Sequence, residues 1–172
     1  ESFKNDLKSA FKMKDLGILD NYLGIEISHD VVKGILTLNQ KNYLLNVLKR
    51  SNMTDCKPMS TPMDQNFNHY SLLRPKSESP ELENTCRKII GSVMYAMLGS
   101  RPDLCASISI LSRYQSCAST ELHTCLKRVL RYIKKTLDLK LVYKRNDCNQ
   151  ITVKGFADAD WAGDNTDRKS TS

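Results

Sequence analysis

The sequence predicts an α+β chain, and three observations carry that expectation. Apolar residues recur at the 3.6-residue period in several long segments, short runs alternate at period two toward both ends, and a proline-bearing stretch with neither period lies between. At the start, Phe3, Leu7, Ala10 and Phe11 fall on one stripe, so the chain should open on a helix. Tyr22–Ile27 and Ile35–Leu38 read as the arms of a hairpin across the turn residues Asp30–Gly34. Gln40–Arg50 returns to the helical period with Leu44, Val47 and Leu48 facing inward.

Four of the 5 prolines lie between Asp55 and Pro80, where large apolar residues are few, so 55–82 reads as an irregular connector. Three helices should follow. The first covers about 83–98, packed through Ile89, Ile90, Val93, Met94 and Met97. The second covers about 102–115, with Pro102 tolerated in the first turn, where its missing N–H has no helical partner to lose. The third covers about 120–137 behind a Ser119 cap. Strands at Leu139–Lys144 and Ile151–Ala157 complete the pattern, with no internal repeat.

At 172 residues and 40% hydrophobic, the chain is long enough for one domain with a core, or for pieces of two. No run approaches the roughly 18 apolar residues of a membrane span, and the first residues lack the basic and apolar regions of a signal peptide. A soluble, unprocessed chain with no membrane partner is the expectation. The 6 cysteines, at 56, 86, 105, 117, 125 and 148, form no Cys-x-x-Cys pair and read as reduced, mostly buried thiols. A zinc cluster of Cys117, His123 and Cys125 would lack the short-spaced ligand pairs such sites use.

The helix at 120–137 carries the clearest binding signal. At 100° per residue, Leu122, Leu126, Val129, Leu130, Ile133 and Leu137 fall within an arc of about 100°, and Lys127, Arg128, Arg131, Lys134 and Lys135 occupy the opposite side. Glu121 is the one acid before the last turn, so i,i+4 partners do not neutralise this cationic ridge. A net charge of +7 agrees with phosphate contact, although a solvated helix face has the same composition.

At the other end of the chain, the alternation of Ile151–Ala157 leads into Asp158 and Asp160. If the strand extends that far, both carboxylates lie on one face and can converge on a divalent cation, the arrangement behind two-metal phosphodiester hydrolysis. An acidic turn after a strand looks the same by spacing alone.

The wording around these acids decides more than their spacing. Asp158-Ala-Asp-Trp-Ala-Gly163 followed by Asp167-Arg-Lys-Ser-Thr-Ser172 resembles the opening of the ribonuclease H domain in Pol polyproteins of copia-type LTR retrotransposons. Leu7-Lys-Ser-Ala-Phe-Lys-Met-Lys-Asp-Leu-Gly17 and Tyr22-Leu-Gly-Ile-Glu-Ile27 resemble the end of the reverse transcriptase palm in the same polyproteins. Tyr43-Leu-Leu-Asn-Val-Leu-Lys-Arg50, Thr61-Pro-Met63, Ile90-Gly-Ser-Val-Met-Tyr95, Arg101-Pro-Asp103 and Leu130-Arg-Tyr-Ile133 follow in that family's order, so the resemblance spans nearly the whole chain. Departures are local: Cys86 stands where the family carries an aromatic, Ala118 near a usual proline, and Lys135 in place of a glycine.

The resemblance implies a division into palm edge and start of thumb (1–54), connector (55–82), helical thumb or connection region (83–138) and the start of an incomplete ribonuclease H-like domain (139–172). It implies Asp158 as the first catalytic carboxylate, Mg2+ as the cofactor of the complete enzyme, and a primer-gripping role for Leu23 and Gly24. Asp160 joins Asp158 as a candidate metal ligand by spacing, and no metal is expected to bind tightly to this chain alone. The implied partners are an RNA·DNA hybrid or primer-template and the remainder of the polyprotein. An intracellular setting, in cytoplasmic particles and the nucleus, is implied for the parent element. No two Asp residues are adjacent anywhere in the chain, so the family's aromatic-x-Asp-Asp polymerase element is absent, and the fragment alone is expected to be inactive. A host-retained, non-catalytic nucleic-acid-binding or scaffold module derived from such an element stays open as the alternative.

Overall fold

Strands β1 (Asn21–Tyr22), β2 (Ile25–Asp30), β3 (Ile35–Asn39) and β4 (Leu141–Lys144) build one antiparallel sheet in that spatial order, and helices carry the rest of the fold. The computed structural model describes residues 2–64, 67–73, 76–145 and 155–156. Among them the helices are α1 (Ser2–Ala10), α2 (Lys41–Arg50), α3 (Pro80–Gly99), α4 (Cys105–Ser112) and α5 (Thr120–Lys135), with short 3-10 turns at His69–Leu72, Pro102–Leu104 and Gln115–Cys117. The class is α+β, as predicted.

The hairpin differs from its sequence expectation in one respect. Tyr22–Ile27 is not a continuous strand, because Leu23 (φ 51) and Gly24 (φ 78) form a two-residue turn that pairs Tyr22 with Ile25. Positive φ at both central residues is the turn whose twist matches a tight hairpin. The second turn leads from β2 to β3, with Ile27 opposite Leu38. β4 then pairs with β3, Leu36 opposite Tyr143, and the Arg145 amide donates to the Gly34 carbonyl at 2.7 Å. Leu141–Lys144, assigned from sequence to a C-terminal unit, is therefore hydrogen-bonded to the hairpin of the N-terminal one. The Ile151–Ala157 strand lies outside the described residues except for Gly155 and Phe156.

The core sits among α2, α3, α4 and α5, not on the sheet. α2 contributes Leu44, Val47 and Leu48, α3 Cys86, Ile89, Ile90, Val93 and Ala96, α4 Ile108 and Leu111, and α5 Leu122, Leu126, Val129, Leu130 and Ile133. The α5 stripe is the one the angular arithmetic predicts. On α3, Met94 turns out to solvent at 38% exposure, while Cys86 and Ala96 complete the inward face. Ser79 accepts from the Leu82 amide at 3.1 Å and Pro80 follows at the first helical position, so α3 begins three residues earlier than predicted. Ser119 caps α5 in the same way, at 3.2 Å from the Leu122 amide. Each cap contributes about 1 kcal/mol.

Two further expectations are corrected. The helix expected over 102–115 is divided into the 3-10 turn at Pro102–Leu104 and α4, which ends at Ser112. The apolar stripe of α1 is not buried: Phe3 is 72% and Phe11 65% exposed, and Asp15 holds the helix by pairing with Lys4 at 3.2 Å and Lys8 at 3.5 Å. Among its described residues the connector is irregular apart from the short turn at His69–Leu72 and the start of α3 at Pro80, yet Leu72 within it is fully buried in the helical core.

Candidate nucleic-acid interface

α5 presents its cations opposite its core stripe, but the row is not open along its length. The connector lies across it. Arg128 pairs with the Asp64 carboxylate at 3.0 Å and donates to Thr61 Oγ1 at 3.0 Å. Arg131 Nε donates to the Lys57 carbonyl at 2.6 Å, Lys134 Nζ donates to the Cys56 carbonyl at 2.8 Å, and the Met59 amide returns a bond to the Arg131 carbonyl at 3.2 Å. Arg128, Arg131 and Lys134 are half-buried beneath this strap, and Lys127 and Lys135 are exposed. The ridge expected from sequence to be unneutralised is thus partly neutralised, by groups more than 60 residues away in the chain, which an i,i+4 search does not reach.

A second cationic feature escaped the sequence reading. The end of α2, the middle of α3 and the first half of α5 enclose a groove of about 960 Å³ with Arg50, Ser51, Asn52, Lys88, His123 and Lys127 among its walls. Val47, Met53 and Ile89 line it from the core side. No carboxylate lines it. Asn52, at φ 56, closes α2 in a left-handed cap: its amide donates to the Lys49 carbonyl and the Met53 amide to the Leu48 carbonyl. That cap turns the chain at the groove's rim. Burial, then the charge of Lys127, hold the His123 imidazole below its usual 6.5. In the sequence, Arg50 and Lys88 are ordinary surface cations, and nothing in their spacing signals that they meet Lys127.

The Leu23–Gly24 turn projects from the sheet edge toward solvent, with Leu23 69% exposed. It is anchored from behind, since the Tyr95 hydroxyl donates to the Leu23 carbonyl and the Tyr43 and Tyr95 rings lie 5.0 Å apart. Tyr43 in turn donates to the Ser92 carbonyl at 3.0 Å, which joins α2 to α3 behind the turn. An apolar side chain is therefore displayed to solvent on a held backbone.

Arg101-Pro-Asp103 is a structural lock. Arg101 is 1% exposed; its fork meets Asp103 at 2.9 and 2.8 Å, while Nη1 and Nη2 reach the Thr136 carbonyl and hydroxyl at 3.2 and 2.7 Å. Tyr132 donates to Asp103 Oδ2 at 2.9 Å and sets its ring 5.7 Å from the guanidinium. Burial raises the Asp103 carboxyl, but the Arg101 hydrogen bonds and charge, with Tyr132, outweigh it and hold the group below 3.8. Burial and Asp103 together push the Tyr132 phenol above its usual value.

The thiols are less buried than expected from sequence. Among the described cysteines only Cys86 is buried, Cys105 is exposed, and Cys56, Cys117 and Cys125 are intermediate. No group of three metal-ligating side chains converges among the described residues. No described helix is long and apolar enough to cross a membrane. Asp158 and Asp160 lie outside the described residues.

Residues 1–65 match the family described as Reverse transcriptase (RNA-dependent DNA polymerase). Over most of its length the chain is similar to Pol polyproteins of copia-type retrotransposons. It is 34% identical over 98% of its length to the Retrovirus-related Pol polyprotein from transposon TNT 1-94 of Nicotiana tabacum. It is 36% identical over 96% of its length to the corresponding protein from transposon RE2 of Arabidopsis thaliana. It is also 36% identical over 96% of its length to the uncharacterized mitochondrial protein AtMg00810 of Arabidopsis thaliana. The chain spans 13%, 11% and 65% of these relatives, less than two thirds of each. No solved structure matches it.

Proposed function

We propose that this segment of a retrotransposon polyprotein binds the RNA·DNA hybrid or primer-template during reverse transcription, and leads into the ribonuclease H domain. The observation that carries the proposal is the outward cationic side of α5, on which Lys127 and Lys135 stand exposed and have no ion-pair partner among the described residues. Phosphate contacts of this kind supply affinity without reading sequence. The anchored Leu23–Gly24 turn fits a role in holding the primer end. Asp158 and Asp160 enter only as proposed Mg2+ ligands of the complete nuclease, with the remainder of the polyprotein as partner. Because no Asp-Asp pair occurs in the chain, the proposed role is binding without primer extension.

The test is the salt dependence of hybrid binding by the 172-residue chain. The log–log slope should be negative, by about 0.7 to 0.9 per phosphate neutralised, and Lys135→Gln should reduce it by about one such increment. Binding that is absent, or indifferent to salt, would overturn the proposal.

A further inference from the structure

We infer that the groove between α2, α3 and α5 holds a phosphate of the polynucleotide backbone, gripped by Arg50, Lys88 and Lys127. The inference rests on the nucleic-acid reading above and adds to it a site that lies mostly off the α5 ridge.

Three helices each contribute one cation to the groove, so their convergence comes from tertiary packing and not from a single helix repeat. All three are exposed. Lys88 and Lys127 have no ion-pair partner among the described residues, and Arg50 donates only its Nε, at 3.4 Å, to the Asn46 carbonyl of its own helix. Like charges gathered around one concavity repel each other, and an anion between them converts that repulsion into attraction. This separates the groove from the ridge, where Asp64 and the connector carbonyls already occupy Arg128, Arg131 and Lys134.

The lining also selects among anions. Ser51 and Ser92 add hydroxyls that can donate to phosphate oxygens, and Val47, Met53 and Ile89 form an apolar side. No Phe, Tyr or Trp lines the groove, and the His123 imidazole is the one aromatic ring in its lining, so it offers little platform on which bases could stack. A volume of about 960 Å³ exceeds what one phosphate needs and accommodates a stretch of sugar-phosphate backbone. The site is therefore suited to phosphodiester linkages irrespective of sequence.

His123 supplies an internal reporter. The charged groups lining the groove with it are Arg50 from α2, Lys88 from α3 and Lys127 from its own helix, all positive. A phosphate seated among them raises the imidazole pKa from its depressed value.

The experiment compares the wild-type chain with Arg50→Gln/Lys88→Gln, both side chains being exposed, for binding to an RNA·DNA hybrid across a salt series. The His123 titration is followed by NMR with and without hybrid. The double variant should keep its circular-dichroism melt and lower the salt slope by about 0.7 to 0.9, the increment for the one phosphate it no longer holds. Hybrid should raise the His123 pKa in the wild type and not in the variant. An unchanged slope in the variant, with salt-dependent wild-type binding, would overturn the groove site and leave the broader reading standing. A reduced slope with an unmoved His123 would also overturn it, by locating the phosphate elsewhere. Wild-type protein that shows no salt-dependent binding would overturn both.

Discussion

Arg101 and Asp103, two residues apart across a proline, meet through two hydrogen bonds of 2.9 and 2.8 Å, and the same guanidinium reaches Thr136 at the end of α5. The start of the α4 region and the last turn of α5 are thereby tied to one buried charge. Pro102 contributes by starting the 3-10 turn between the partners. The motif ties the helical core together, with Asp103 as the counter-ion of Arg101.

Asp103→Ala should cost about 3 kcal/mol, because it leaves the Arg101 charge in the interior without its partner. Urea unfolding gives the value, and a loss below about 1 kcal/mol, the level of an exposed pair, would show that the pair behaves as a surface one. The pH profile adds an independent sign. The Asp103 carboxyl is held below its ordinary 3.8, so its contribution is present above that value and is lost as pH falls through the lower folded value. The variant should lack that part of the acid sensitivity.

Removing Asp64 should expose part of the ridge. The Asp64–Arg128 pair is a surface one, with side chains 57% and 27% exposed, so Asp64→Ala should change stability by less than about 1 kcal/mol. Released from its counter-ion, Arg128 becomes available to phosphate, so hybrid binding should tighten and the salt slope should steepen by about 0.7 to 0.9. Equal or weaker binding would show that the strap does not compete for the ridge.

Two glycines separate backbone strain from collision. Gly34 has φ 62, and a Cβ there would lie 2.7 Å from Arg145 Cβ; Gly17 has φ 86 with nothing within 4 Å. Gly17→Ala should cost about 1 to 2 kcal/mol of left-handed strain alone. Gly34→Ala should cost more and loosen the end of β4, seen as faster hydrogen exchange at the Arg145 amide. Equal losses at the two sites would remove the β3–β4 contact from this account.

Thiol labelling should follow burial. Burial pushes the Cys86 thiol up to about 11, so little thiolate forms there near neutral pH, whereas Cys105 is exposed. With iodoacetamide and peptide mapping, Cys105 should label in the folded chain and Cys86 only on unfolding. Early labelling of Cys86 would mean that α3 opens locally.

Much of the helical architecture was legible because periodicity is a local property. Leu122, Leu126, Val129, Leu130 and Ile133 all occupy the predicted face, and Ser119 caps where a serine before an apolar repeat should. The errors arise where a local pattern underdetermines its surroundings. Tyr22–Ile27 alternates like one strand, yet the backbone turns at Leu23–Gly24, with the Leu23 carbonyl held by Tyr95 from 72 residues away. The α1 stripe has helical spacing, but spacing alone does not supply a surface to cover it.

The chemical site divides along the same line. Residue order and motif wording carry the resemblance to the Pol polyproteins, and the cation row of α5 follows from 100° per residue, since both depend on neighbours along the chain. Which of those cations remain available does not follow from them. Asp64, Lys57 and Cys56 reach Arg128, Arg131 and Lys134 across 64 to 78 residues, and packing of α2 and α3 against α5 gathers Arg50 and Lys88 beside Lys127. Charge availability depends on distance in space, which falls off as a Coulomb interaction and is fixed only once the helices have packed.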